Sequence, residues 1–188
     1  LISSILTIIC LWLSIKQHIA NWPLAILVTL MDLIIYHQGA LYDRWLVSAI
    51  SIAFSLYGWY QWVYGDARNQ QAQQKIIPTS LIEWEAIVPL GILSIGLFGH
   101  MLIQLHSELP YQGATAIFLM MLGLWMTAHK KLETYIIWCM YSMLSMYVSC
   151  IKSYYWFGIK DLIALIVAAY GYYAWRGIYW TNIKCKHV

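Results

Sequence analysis

Apolar residues run along this chain in seven long stretches separated by short polar ones. The stretches cover residues 1–15, 22–40, 45–64, 85–105, 114–128, 135–151 and 157–175. Most approach the roughly 20 apolar residues that carry a helix across a bilayer. The first and fifth are shorter. The first is expected to have lost residues at its start, and the fifth to begin nearer Gln112. One long polar loop, residues 65–75, follows the third stretch, and Pro78 and Ser80 lead into the fourth. The run His106-Ser107-Glu108-Leu109-Pro110 makes a turn on the opposite face. In lipid every backbone polar group must find its partner inside a helix or a closed barrel. The pattern therefore predicts an all-α polytopic membrane protein with seven transmembrane helices, a single transmembrane domain over residues 1–188.

Composition sharpens that picture. Of 188 residues, 62% are hydrophobic and only 10% are charged, against about 25% charged in an average soluble domain. There are 11 Trp and 15 Tyr, and too few polar side chains to coat a globule. A soluble enzyme, a disordered tail and a nucleic-acid binder are excluded, the last because a net charge of +3 is small and forms no basic stripe. Cys10, Cys139, Cys150 and Cys185 show no metal-ligand spacing, and no cofactor is expected. Lys and Arg in the loops set orientation. Lys16, Arg68, Lys75, Lys130, Lys131, Arg176, Lys184 and Lys186 fall on one face, and Arg44, Lys152 and Lys160 on the other. The first face is expected to be cytoplasmic, with the N-terminus outside and the C-terminal tail, residues 181–188, inside.

The chain also repeats itself. Shifted by 113 residues, the first three stretches fall on the last three without a gap. Leu11-Trp12 meets Leu124-Trp125, Ser14 meets Thr127, and Asn21-Trp22 meets Thr134-Tyr135. Tyr57-Gly58-Trp59-Tyr60-Gln61-Trp62 meets Tyr170-Gly171-Tyr172-Tyr173-Ala174-Trp175. The plan is a first three-helix repeat over 1–64, a loop and linker helix over 65–113, and a second repeat over 114–180. Three helices and one linker leave the two repeats parallel. Parallel repeats build transporters whose substrate site lies near the midplane between the halves.

Several side chains are candidates for that site. Tyr135, Trp138 and Ser142 share one helix face by their spacing, with Tyr141 beside them. Two rings and a hydroxyl suit a flat, cationic, hydroxylated solute, since ring faces attract cations. Rings at segment ends ordinarily form the interfacial belt. Trp12, Trp22, Trp45, Trp156, Trp175 and Trp180 are read that way, and Trp138, Tyr141 and Tyr170 as deeper. Asp32 stands near the middle of the second stretch, where an ionisable group is expensive. It either balances a cation, accepts a proton, or bonds another helix. His100 lies in the fourth stretch and reads as a packing residue. Asp161 lies near the outer face and reads as a partner for Lys160 or Lys152, and Glu133 as a cap of the sixth helix. Gly58 and Gly171 are read as close-packing positions. Ser48, Ser51 and Ser55 form a polar face that lines the pathway or bonds a neighbouring helix. Enzyme motifs such as H-E-x-x-H, G-x-S-x-G and the P-loop are absent.

These residues resemble the PnuC family of vitamin transporters over nearly the whole chain. Tyr57-Gly58-Trp59-Tyr60-Gln61-Trp62 resembles the family's Y-G-W-Y-x-W. Met126-Thr127 and the run from Lys131 to Trp138 resemble its M-T and K-x-x-E-N-W-x-x-W. The 3+1+3 plan is similar to the family's SWEET-like arrangement. The resemblance implies import of nicotinamide riboside across a bacterial inner membrane by facilitated diffusion, with a cytoplasmic kinase trapping the solute, and a homotrimer in the lipid bilayer. It adds Trp59 and Thr134 to the candidate site, beside Ser48 and Tyr170. At several positions this chain departs from the family. Tyr135 replaces the first Trp of W-x-x-W, Thr134 and Ser142 replace Asn, Tyr170 replaces Asn, and Ser48 stands near an expected Gln. Hydroxyls thus replace amides, which brings in thiamine, another flat cation, as the alternative substrate. A SWEET-like sugar carrier is the further alternative.

Overall fold

A computed structural model describes residues 2–38, 42–65 and 76–184. Most of the long polar loop, with Arg68 and Lys75, lies outside the described residues, as do Cys185 and Lys186 and the side chains of Arg44 and Lys184. The described secondary structure is helical apart from short turns and one isolated bridge between Ile77 and Lys131. The elements are α1 (Ile2–Ile15), α2 (Asn21–Gln38), α3 (Tyr42–Tyr60), which ends in a π-helical turn (Gln61–Gly65), α4 (Leu81–Gln104), α5 (Pro110–Ala128), α6 (Thr134–Ile151) and α7 (Tyr155–Lys184). Four of them, α4 to α7, are long and apolar enough to cross a membrane, and α1 and α2 hold shorter apolar helical runs. The outer face of α4 exposes Leu81, Ile82, Ile92 and Leu93, as a helix lying against hydrocarbon does. This is a multi-pass membrane protein.

Local chemistry sets the helix starts. α4 begins four residues before its apolar stretch, because Ser80 and Glu83 make a capping box. The Ser80 hydroxyl accepts from the Glu83 amide at 3.3 Å, and the Glu83 carboxylate accepts from the Ser80 amide at 2.7 Å. A carboxylate in the first turn supports a helix that a hydropathy pattern alone would cut short. α5 begins at Pro110, whose fixed φ suits the first helical position. α7 runs beyond Trp175 to Lys184.

Six helices close into a ring in the order α1, α2, α3, α5, α6, α7 and back to α1, while α4 leans on α5 from outside. Exchanging α1, α2 and α3 for α5, α6 and α7 maps this set of neighbours onto itself. The correspondence extends to single residues at the same offset of 113. Gln17 and Lys130 both turn through positive φ, at 53° and 52°. Trp22 lies over Gly58 and Tyr135 over Gly171, so closely that a Cβ at either glycine would sit 2.1 or 2.7 Å from the ring. Trp22 meets Trp62 edge-on at 5.4 Å, and Tyr135 meets Trp175 edge-on at 5.0 Å. Trp62 Nε1 donates to the Ala128 carbonyl at 3.2 Å, and Trp175 Nε1 to the Ile15 carbonyl at 3.1 Å.

Two of the expected belt residues are therefore core residues. Trp22 and Trp175 are fully buried. A glycine opposite Trp22 and a carbonyl partner for Trp175 let these large rings pack inside the bundle. Trp12, Trp45, Trp156 and Trp180 do lie exposed.

The chain before α4 is fastened to the loop between α5 and α6. Ile77 donates its amide to the Lys130 carbonyl at 3.2 Å and accepts from the Leu132 amide at 3.0 Å. Glu133 occupies the N-cap position of α6 without capping it by its side chain. Its carboxylate accepts instead from the Thr79 amide and hydroxyl, at 3.0 and 2.7 Å. Lys131 Nζ reaches both oxygens of Glu83, at 2.6 and 2.7 Å.

Candidate functional site

Inside the ring is a cavity of about 220 Å³, below the roughly 300–1,000 Å³ of most small-molecule sites. Every ring helix contributes to its wall, and no residue of α4 does. The wall is mostly apolar, with hydroxyls distributed around it. Ser48, Ser51 and Ser55 of α3 all face it, and Ser51 also donates to Thr29 Oγ1 at 3.3 Å. That serine face thus lines the cavity and, through Ser51, bonds a neighbouring helix.

Trp138 and Tyr141 of α6 supply aromatic wall, edge-on to each other at 5.7 Å. Ser142 lies on the same wall and is buried. Asp32 reaches the cavity from α2 and accepts a hydrogen bond from the Ser3 hydroxyl of α1. Of the nine candidate positions, Asp32, Ser48, Trp138, Tyr141 and Ser142 come together here.

The other four lie elsewhere. Tyr135 and Thr134 are fully buried behind the wall. Tyr135 is clamped between Gly171 and Trp175, and its hydroxyl shares a 3.3 Å hydrogen bond with Ser14 of α1. Tyr170 points outward, stacked on Trp12 at 5.8 Å, and is half exposed. Trp59 is exposed on α3. His100 is exposed and bonds Gln104 on its own helix.

Asp161, one turn into the seventh apolar stretch, makes the expected ion pair with Lys160 and belongs to the cavity as well. Its side chain is buried and lines the cavity. It accepts from Ser145 Oγ at 2.6 Å, and Lys160 Nζ lies 3.8 Å away. The repeat contains the signal that would have found it. Position 161 is the equivalent of Ser48, and Ser145 is the equivalent of Asp32. Each half thus carries one acid and one hydroxyl at these two positions, with the acid on α2 in the first half and on α7 in the second, although Asp32 bonds Ser3 where Asp161 bonds Ser145. Among the described residues the lining carries two carboxylates against one ammonium, that of Lys160. Ring faces and an excess of carboxylate favour a cation over an anion.

Comparison with known proteins agrees with this architecture. A family model described as nicotinamide mononucleotide transporter matches residues 1–177. The fold is similar to that in the crystal structure of the vitamin B3 transporter PnuC, with a TM-score of 0.77 at 13% sequence identity. The match covers 94% of this chain and 80% of that one.

Proposed function

The chain belongs to the nicotinamide mononucleotide transporter family, and from that premise we propose that it imports a flat cationic vitamin, nicotinamide riboside in the first instance. One observation supports this reading above the others: the cavity faces of Trp138 and Tyr141 share a chamber with Asp32 and Asp161. A pyridinium stacks on the rings while a carboxylate balances its charge, and hydroxyls such as Ser48 and Ser142 take up the sugar. The solute moves by facilitated diffusion and is trapped by a cytoplasmic kinase. The matching ring contacts of the two halves support a 3+1+3 SWEET-like plan with α4 as linker. The protein then sits as a homotrimer in a bacterial inner membrane, with its C-terminal tail in the cytoplasm.

Thiamine is the second reading, favoured by Ser142. It lines the cavity where the family pattern has an amide. A site that hydrogen-bonds its substrate through specific groups discriminates strongly when those groups change.

The test is a calorimetric titration of purified protein with nicotinamide riboside, thiamine and riboflavin, run beside uptake into proteoliposomes. Saturable binding of nicotinamide riboside alone supports the first reading, and of thiamine alone the second. Asp32→Asn should lose flux while keeping its fold. Trp138→Ala should weaken binding by about 1–2 kcal/mol, the scale of a desolvated cation–π contact. Binding of none of the three, or undiminished flux in Asp32→Asn, would overturn the assignment of this cavity.

A further inference from the structure

An aromatic ring recognises a flat solute only through its face, so the plane in which it is held matters as much as its presence. Trp138 is held on three sides. Its Nε1 donates to Thr127 Oγ1 at 3.1 Å, and the Thr127 hydroxyl donates in turn to the Gly123 carbonyl at 2.7 Å. The indole edge lies against Gly123, where a Cβ would come within 3.0 Å of the ring. Tyr141 closes the third side, with its plane 89° from that of Trp138. The Thr127 hydroxyl has one proton and two lone pairs. The proton is committed to Gly123 and one lone pair to the indole. A short chain of this kind in a low-dielectric setting fixes direction. Thr127 is itself buried, at 3% exposure.

A second hydroxyl holds a ring of the same helix, although by a contact between the halves rather than within one. Ser14 is the equivalent of Thr127 in the first half. It shares a hydrogen bond with the hydroxyl of Tyr135, one helical turn before Trp138. Equivalent hydroxyls on α1 and α5 therefore hold the two successive rings of α6, one from each half of the protein.

We propose that Thr127 is a positioning residue that sets the plane of Trp138, and through it the affinity for a flat cationic solute. This rests on the assignment of the cavity as the vitamin site. Thr127→Val keeps the shape of the side chain and removes the bond, Thr127→Ser keeps the bond, and Trp138→Phe keeps a ring but has no N–H to place. The full-length protein and these variants are titrated calorimetrically with nicotinamide riboside and with thiamine. Ultraviolet resonance Raman reports hydrogen bonding of the indole N–H, with Trp138→Phe subtracted to isolate Trp138.

Thr127→Val is expected to bind whichever solute the parent binds about three- to tenfold more weakly, the scale of one hydrogen bond. Thr127→Ser should stay within about twofold of the parent by the same scale. Thr127→Val placed on Trp138→Phe should change nothing further. The Trp138 N–H band should shift in Thr127→Val without any ligand. Unchanged affinity in Thr127→Val overturns the proposal, and so does an equal loss in the Trp138→Phe background, since the hydroxyl would then act without the indole. If the parent binds neither solute, the vitamin assignment fails by itself. The N–H band then decides the positioning role, which an unshifted band refutes.

Discussion

Adding one methyl group at three different glycines should move stability in opposite directions, and the structure ranks them. At Gly96 a Cβ meets nothing within 4 Å. Gly96→Ala then gains only the helix preference of Ala over Gly, about 0.5–1 kcal/mol. At Gly171 a Cβ lies 2.7 Å from the Tyr135 ring, about 0.7 Å inside the 3.4 Å at which ordinary contact begins. At Gly58 the Cβ lies 2.1 Å from Trp22 Cη2, with two more ring atoms inside 2.6 Å, an overlap of about 1.3 Å. Trp22 is fully buried and packed edge-on to Trp62, and the one space beside it is the cavity it helps to line, so the ring can give only by moving into that chamber. Overpacking costs typically 1–3 kcal/mol, and Gly58→Ala belongs at or above the upper end. Net of helix preference, Gly58→Ala should lose about 2 kcal/mol or more, Gly171→Ala should lose up to about 1, and Gly96→Ala should gain slightly. In a chain of this length about 1 kcal/mol moves Tm by roughly 2–4 °C. Thermal unfolding of the three variants in one detergent should therefore order them Gly96→Ala, Gly171→Ala, Gly58→Ala from most to least stable. A Gly58→Ala protein as stable as Gly96→Ala would mean that Trp22 does not lie over Gly58 and that the buried role given to this tryptophan is wrong.

Trp62→Phe and Trp175→Phe should each lower stability by about 1–3 kcal/mol, since each leaves a buried carbonyl without its donor. Thermal unfolding should give the two similar shifts, because the bonds are repeat equivalents. Ser145→Ala removes a donor from the buried Asp161 carboxylate and should lower stability by about 1–3 kcal/mol, while Ser145→Thr, which keeps the hydroxyl, recovers part of it. Lys131→Met and Glu83→Gln should be non-additive by at least about 0.5 kcal/mol in a double-mutant cycle read by thermal unfolding. Additivity there would remove the ion pair as a fastening between α4 and the α5–α6 loop.

Much of this architecture is legible in the sequence because lipid imposes a simple rule. Apolar stretches of spanning length become helices, and the seven helices lie where hydropathy puts them, with errors only at the ends. Those errors have local causes. Glu83 interrupts the apolar count ahead of the fourth stretch, yet it belongs to the capping box that starts α4. The tryptophans are harder. Composition cannot separate a ring that lies in the interface from one that packs inside, since both are large and carry an N–H. What separates Trp22 from Trp12 is a glycine on a neighbouring helix, and what separates Trp175 from Trp180 is a carbonyl on α1. Both are relations between distant segments, which a single-stretch reading does not contain.

The candidate site divides in the same manner. Trp138 and Ser142 reach the cavity, while Tyr135, on the same helical stripe, is drawn behind the wall by Gly171 and Trp175. Tyr170 departs for a different reason. α7 turns that position toward Trp12 and the exterior, although it lies close to the cavity residue Ala168 in sequence. Asp161 makes the ion pair with Lys160 that its neighbour suggests, at 3.8 Å, and its place in the cavity is the part that only the repeat arithmetic carries, as the counterpart of Ser48.

The two indole-to-carbonyl bonds have a mechanical consequence. They cross the two places where one half of the ring meets the other, α3 against α5 and α7 against α1, on opposite sides of the cavity. Both lie at the end where α1 and α5 finish, together with the Ser14–Tyr135 and Tyr57–His129 contacts. Prying the halves apart at that end strains both fastenings in the same movement, so neither can be released alone by a swinging loop. The fastened Ile77, Thr79 and Glu83 keep the start of α4 with the α5–α6 loop throughout. Three helices on one side and four on the other thus meet across two matched tryptophan fastenings, one at each seam.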